Sequence, residues 1–254
     1  MAIARDIDDY QQAYAASDFE PTMARLRKRV LLAALARWRP RRVLEVGCAD
    51  DALFNHHADF EHWCVVEPGA GFAALARQHA QRRGFGERVR VVQALLEDAG
   101  AELAGGDFDL ILLSGLLHEV PQPAALLAAT AALCTPATRV HVNVPNARSL
   151  HRLLALEMGL IDSIHAISDQ QRALQQTRTY DLDTLSAACR DAGFAIEASG
   201  SYFIKPFTHR QMAGLARDGL LDERMLDGLC GLERHLPGLG AEIHVDLRLA
   251  AAGS

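Results

Sequence analysis

Short apolar runs alternate with stretches of helical spacing along the first three fifths of this chain. Runs at Val43–Gly47, Trp63–Glu67, Val89–Gln93, Phe108–Ser114 and Arg139–Val144 have strand length, and helical patterns such as Gly71–Arg83 and Pro123–Cys134 lie between them. That order predicts a parallel, doubly wound sheet with helices packed on its faces. Ahead of it, residues 1–41 begin polar and then place Met23, Leu26, Val30, Leu31, Leu35 and Trp38 at helical spacing until Pro40 ends the helix.

After Pro145 the alternation breaks. Residues 146–179 carry Leu, Met and Ile at helical spacing among many polar groups, which predicts a helical insertion. Tyr180–Ala192 predicts another helix, capped by Asp181 or Asp183 and stopped by Gly193 before a strand over Phe194–Ile204. Residues 205–240 return to helix. The closing run Glu242–Leu249 alternates polar and apolar residues, as an edge strand does. The count is seven strands in one elaborated domain, with a cofactor-binding core over 42–145 and two late helical insertions placed to form a substrate lid.

Half of the 254 residues are hydrophobic and 23% are charged, so the chain can bury a core without disulfides or metals. The net charge of −6 is spread, and no basic run tracks a phosphate backbone, which argues against nucleic acid as a partner. No apolar run reaches the ~20 residues that span a bilayer, and the first residues lack a signal-peptide pattern. Five scattered cysteines without a C-x-x-C pair read as small buried residues in a reducing cytoplasm. There is no H-E-x-x-H, and the adjacent His56 and His57, read as lying on a helix after the first strand, cannot share a metal. No metal site is expected, and homodimerisation stays open.

The candidate chemistry sits at strand ends. Arg42-Val43-Leu44-Glu45-Val46-Gly47-Cys48-Ala49-Asp50-Asp51 suits a buried strand turning sharply into a helix, where backbone N–H groups meet a ligand. Trp63-Cys64-Val65-Val66-Glu67-Pro68 then ends in a carboxylate placed to accept hydrogen bonds from a ribose diol. Glu45 precedes the glycine, and G-x-G-x-x-G is absent, which disfavours a nicotinamide-dependent oxidoreductase.

This ordering resembles the class I S-adenosylmethionine-dependent methyltransferases, in particular those acting on small molecules, and the likeness covers nearly the whole chain. The resemblance implies a Rossmann-like α/β fold of seven strands, mostly parallel with an antiparallel last strand, helices between the first five strands, and S-adenosylmethionine as cofactor. It implies that Glu45 orients the methionine amino group, that Gly47 and Ala49 admit the cofactor to the backbone, and that Glu67 holds the ribose. Leu95 and Leu96 fall where the family meets adenine, and Ser114 closes the strand beside the cofactor. Tyr14 lies in a segment that folds over the cofactor in relatives. Of the family's glycine positions only Gly47 is kept, with Ala49 and Asp51 at the others; Asp51 either crowds the ligand or caps the following helix.

The loop Ser114-Gly115-Leu116-Leu117-His118-Glu119 resembles the one that borders the reactive methyl. His118 is the candidate general base, since an imidazole takes a proton near neutral pH, and Glu119 would orient it. The run Val144-Pro145-Asn146-Ala147-Arg148-Ser149-Leu150-His151-Arg152 is similar to one in a subset of small-molecule methyltransferases, which makes His151 and Arg152 candidates for the substrate mouth. Tyr180 and His209, with His165 and Lys205, are further substrate candidates from the late segments. The expected function is methyl transfer to a small-molecule nucleophile, oxygen ahead of nitrogen or carbon. The alternative is a catalytically inactive, methyltransferase-like binding or partner subunit, motivated by the two lost glycines.

Overall fold

The computed structural model describes residues 19–167, 171–172 and 176–251. Seven strands form one sheet in the order β3-β2-β1-β4-β5-β7-β6. They are β1 (Arg42–Val46), β2 (His62–Val66), β3 (Val89–Val92), β4 (Leu110–Ser114), β5 (Arg139–Pro145), β6 (Phe194–Tyr202) and β7 (Glu242–Leu249). The first five are parallel, and β7 runs antiparallel between β5 and β6. The register aligns Val46 with Val66 and with Leu113, and Ser114 with Asn143, so the carboxyl ends of β1, β2, β4 and β5 open along one edge. In open parallel sheets ligands bind at that edge, at the reversal of strand order between β1 and β4.

Helices cover both faces. Helix α1 (Glu20–Trp38) and helix α2 (Ala70–Arg82) lie over one, where Leu31, Leu35, Ala76 and Ala80 pack on Val43, Trp63, Val65, Leu110 and Leu112. On the other face α4 (Pro123–Ala132) and α6 (Leu182–Asp191) bring Leu126, Leu127, Leu185 and Cys189 against Leu44, Ile111, Val142 and Val245. Between β3 and β4 lie a 3-10 turn and the single-turn helix α3 (Gly100–Leu103). A third cluster joins Phe19, Met23 and Leu26 to Phe203, to Met212 of α7 (His209–Arg217) and to Leu226 of α8 (Glu223–Gly231). The late helices are thus bolted to the start of α1. The insertion after β5 holds α5 (Leu150–Glu157).

Two expectations need correction. No α-helix follows β1: a single 3-10 turn, Leu53–Asn55, occupies the connection to β2 and carries the chain past His56 and His57. The reason is local, because Gly47 and Ala49 both take positive φ, 72° and 48°, which breaks helical geometry immediately after the strand. Secondly, β7 is an interior strand; β6 and β3 are the edges. Its alternation reports two different buried faces, since Ile243, Val245 and Leu247 enter the core while Glu242 and Asp246 are buried as polar residues on the side of α1. Asp181 rather than Asp183 caps α6, in a capping box with Thr184. Gly193, at φ 87°, closes that connection as expected.

Candidate active site

The 3-10 turn after β1 is held by Glu45. Its carboxylate accepts the Leu53 N–H at 2.9 and 3.1 Å and the Trp63 indole N–H at 2.9 Å, and burial raises its pKa to about 7. Glu45 therefore faces the interior of the turn and does not line the cleft, so the part expected of it toward the methionine amino group does not fit this geometry. Asp51 points away from the ligand edge as well. It pairs with Lys28 of α1, accepts from Asn55 at 3.0 Å and lies 2.8 Å from His56; these bonds overcome its desolvation and lower its pKa to about 2. It neither crowds a ligand nor caps a helix.

Glu67, immediately after β2, is buried and lines the cleft. Its two oxygens accept the Cys48 N–H at 3.0 Å and the Gly69 N–H at 2.8 Å, which fixes the carboxylate while leaving each oxygen a further lone pair. Burial raises its pKa and the backbone donors work against that rise. Gly47 and Ala49 line the same side of the cleft. A Cβ on Gly47 would stand 2.8 Å from a Leu116 methyl, so the glycine serves both its positive φ and the approach of the loop after β4. Leu95, half exposed, and Leu96, buried, stand outside the cleft lining. Phe72 in the first turn of α2 lines it instead, a position the strand-end reading did not single out.

Across the cleft, Ser114, Gly115 and Leu116 lead to His118 and Glu119, both buried and both lining it. His118 Nε2 stands 3.5 Å from a Glu119 oxygen. Asn146 locks the turn after β5, donating to the Gly238 and Gly240 carbonyls at 3.0 and 2.8 Å and accepting the Arg148 N–H at 2.9 Å. The turn aims His151 and Arg152 into the cleft. Arg152 donates to the Ile164 and Ala166 carbonyls and to the Gln171 side chain, so it also braces the insertion. Tyr180, by contrast, is core: it is buried among Leu185 and Cys189 and does not line the cleft. His165 is exposed, 3.1 Å from the Thr179 hydroxyl. Tyr14 lies outside the described residues.

The floor on the β5–β7 side is ionisable. Arg27 of α1 donates bidentately to Glu242, at 2.5 Å for the closest contact, and reaches Glu20 at 3.4 Å. Glu242 also accepts from Tyr202 and, at 3.1 Å, from Asn143. Lys205 Nζ lies 2.9 Å from His209 Nδ1, and His209 Nε2 lies 3.6 Å from Glu20. Burial lowers the Lys205 pKa to about 7, against the pull of Glu20 and Glu242. Burial, together with Lys205, His209 and Arg152, lowers His151 to about 2, so that imidazole is neutral. Glu20, Arg27 and Glu242 were not singled out from sequence, because a floor assembled from positions 20, 27 and 242 has no local motif.

The cleft has a volume of about 260 Å³. Its β2 side carries Glu67, Gly47, Ala49 and Phe72, and its β5 side carries His151, Arg152, Lys205, His209 and the Arg27–Glu242 pair. The family profile described as a methyltransferase domain matches residues 16–199. The chain belongs to the methyltransferase domain family. Within the curated relatives, a Synechococcus protein without an assigned role is 32% identical over 106 residues, 41% of this chain and 25% of that one. The ubiquinone biosynthesis O-methyltransferase of Xylella fastidiosa is 25% identical over 173 residues, 66% of this chain and 67% of the relative. The chain thus spans about a quarter of one of these relatives and about two thirds of the other. Among solved structures, the magnesium protoporphyrin IX methyltransferase of Synechocystis, with bound S-adenosylhomocysteine, superposes at a TM-score of 0.60 and 13% identity, covering 96% of this chain and 94% of that one. At that identity the likeness shows the fold.

Membership of this family makes S-adenosylmethionine the cofactor, and the β2 side of the methyltransferase cleft fits it. A buried carboxylate lines the cleft at a strand end, beside the small residues Gly47 and Ala49. No helix of the described residues is long and apolar enough to cross a membrane, and none of their His, Cys, Asp and Glu gather in a group that could hold a metal ion.

Proposed function

We propose that this methyltransferase carries a methyl group from S-adenosylmethionine to an oxygen nucleophile on a small metabolite. The observation that carries the reading is the continuity of the cleft: Glu67 and Gly47 line one side, and His118 with the ionisable floor lines the other. Bound S-adenosylmethionine supplies an electrophilic methyl on a sulfonium. Glu67 would hold the ribose hydroxyls through the lone pairs its backbone partners leave free, and Gly47 and Ala49 would admit the methionine part to the backbone. His118 would take the acceptor's proton, with Glu119 orienting the imidazole and stabilising its charged form. Burial of both groups keeps water from the reacting centre.

The O-methyltransferase named among the curated relatives supports oxygen over nitrogen or carbon. A hydroxyl is also the acceptor for which a histidine base contributes most. The binding-only reading drew on the departures at Ala49 and Asp51; with Asp51 turned to Lys28, the larger of those departures leaves the cleft untouched.

The test is a hydroxyl-bearing acceptor panel with labelled S-adenosylmethionine, run on the wild type and on His118→Ala. Turnover should fall by about 10²–10⁴-fold in the variant while S-adenosylhomocysteine affinity is kept. Good cofactor binding with no transfer to any acceptor would overturn the enzymatic reading, and transfer undiminished in His118→Ala would remove the base from this position.

A further inference from the structure

Charge matching in the cleft is one-sided. Each carboxylate that lines it has a partner inside the protein: Glu242 meets Arg27, Glu20 meets Arg27 and His209, Glu67 meets backbone N–H groups and Glu119 meets His118. The cations, Lys205 buried and Arg27 and Arg152 half-buried, divide differently. Arg27 is matched by Glu242, whereas Lys205 and Arg152 make no ion pair within 4.0 Å among the described residues. Lys205 is 2% exposed, and among the described residues its ammonium has only the His209 ring nitrogen as a hydrogen-bond partner. Among the described residues, the hydrogen bonds of Arg152 go to neutral oxygens. Beside them His151 Nδ1 is buried without a hydrogen-bond partner among the described residues. Burying unmatched cations opposes folding, and groups held that way in a cleft mark a binding function.

The placement assigns their ligand to the acceptor rather than to the cofactor. His151 and Arg152 follow β5 and Lys205 follows β6, on the opposite side of β4 from Glu67 after β2. Resting on the methyltransferase reading above, we propose that the acceptor is a carboxylic acid whose carboxylate docks on Lys205 and Arg152, with His151 as the neighbouring polar contact. The Arg152 guanidinium spends four of its five N–H donors on Ile164, Ala166 and Gln171, so it offers the carboxylate a single N–H and its charge, while the Lys205 ammonium adds a point charge; together they bind an anion better than its neutral amide. The lowered proton affinity of Lys205 follows from the same geometry: burial and Arg152 oppose its charge, Glu20 and Glu242 support it, and the neutral His151 and His209 neither add nor remove charge. An arriving carboxylate supplies the missing negative charge.

The experiment is calorimetric titration of the protein saturated with S-adenosylhomocysteine. The probes are monocarboxylates from acetate through octanoate to benzoate, each against its own amide, with inorganic phosphate as a separate arm. Lys205→Met is the variant, since it keeps the stem and removes only the unmatched charge. At least one acid should bind about tenfold or more tighter than its amide in the wild type, and the difference should vanish in Lys205→Met with S-adenosylhomocysteine affinity unchanged. Equal binding of every acid and amide overturns the proposal, as does phosphate binding in place of carboxylates. Weakened S-adenosylhomocysteine binding in Lys205→Met would also overturn it, by giving Lys205 to the cofactor. Failure of S-adenosylhomocysteine to bind the wild type would instead strike the cofactor reading, while discrimination of acid from amide would still stand or fall by itself.

Discussion

The two sides of the cleft are built in different ways. The β2 side is made by neighbours in sequence: Gly47, Cys48, Ala49, Glu67 and Gly69 span little more than twenty residues, and one carboxylate bonds to the backbone of two adjacent loops. The β5 side is made by side chains from positions 20, 27, 151, 152, 205, 209 and 242, of which 20, 27 and 242 are joined by ion pairs. A backbone cradle suits a ligand common to a whole family, whereas a side-chain floor can change with each acceptor at little cost to the fold.

The sharpest way to break that contrast is Glu242→Ala. It would leave Arg27 buried with only Glu20 beside it and remove the acceptor for Tyr202 and Asn143, so chemical denaturation should show a loss of about 3–5 kcal/mol, with cofactor affinity largely kept. Glu67→Ala should do the reverse. If Glu67 has the ribose-holding role proposed for it, losing two charge-assisted bonds predicts about 10²-fold weaker S-adenosylhomocysteine binding by calorimetry, and unchanged affinity would refute that role.

A smaller effect is expected from the turn after β1. Glu45 holds a raised pKa of about 7 in the folded state, so between its ordinary value of 4.5 and about 7 the folded chain binds a proton that the unfolded chain does not. Its contribution is full below 4.5 and is lost as pH rises through 7. Denaturation across pH 5–8 should therefore show the wild type losing stability relative to Glu45→Gln, and parallel pH curves would contradict this. Least of all, Asp51→Ala should cost about 1 kcal/mol or less, because the Lys28 and His56 contacts are partly exposed.

Much of the β2 side was legible because it follows from runs of residues. The five parallel strands, the glycine at the end of β1 and the acid at the end of β2 are local patterns, and burial on both faces makes such runs apolar throughout. The missing helix after β1 was not legible, since positive φ at Ala49 is a choice the tertiary structure imposes on a residue of high helix propensity. Glu45 looked like a ligand group because strand ends are where ligands bind; the Trp63 indole that claims it is eighteen residues away. Tyr180 was a candidate because it belongs to the late segments, while the fold packs its ring into the core. The floor under the acceptor was the least legible part, because an acid at position 242 and an arginine at position 27 meet only once α1 lies across β7.

Helix α1 carries Arg27 and Lys28 side by side, and the two neighbours hold different halves of the cleft. Arg27 is tied to Glu242 on the β5 side, and Lys28 to Asp51 on the loop after β1. One rigid rod thus has a foot in each compartment, so a shift of a few tenths of an ångström at either foot is delivered to the other. Occupancy on one side should then alter affinity on the other, by the same factor in both directions. A matched pair of titrations, cofactor first and acceptor first, would read that factor directly, and severing the Lys28–Asp51 foot should bring it toward one.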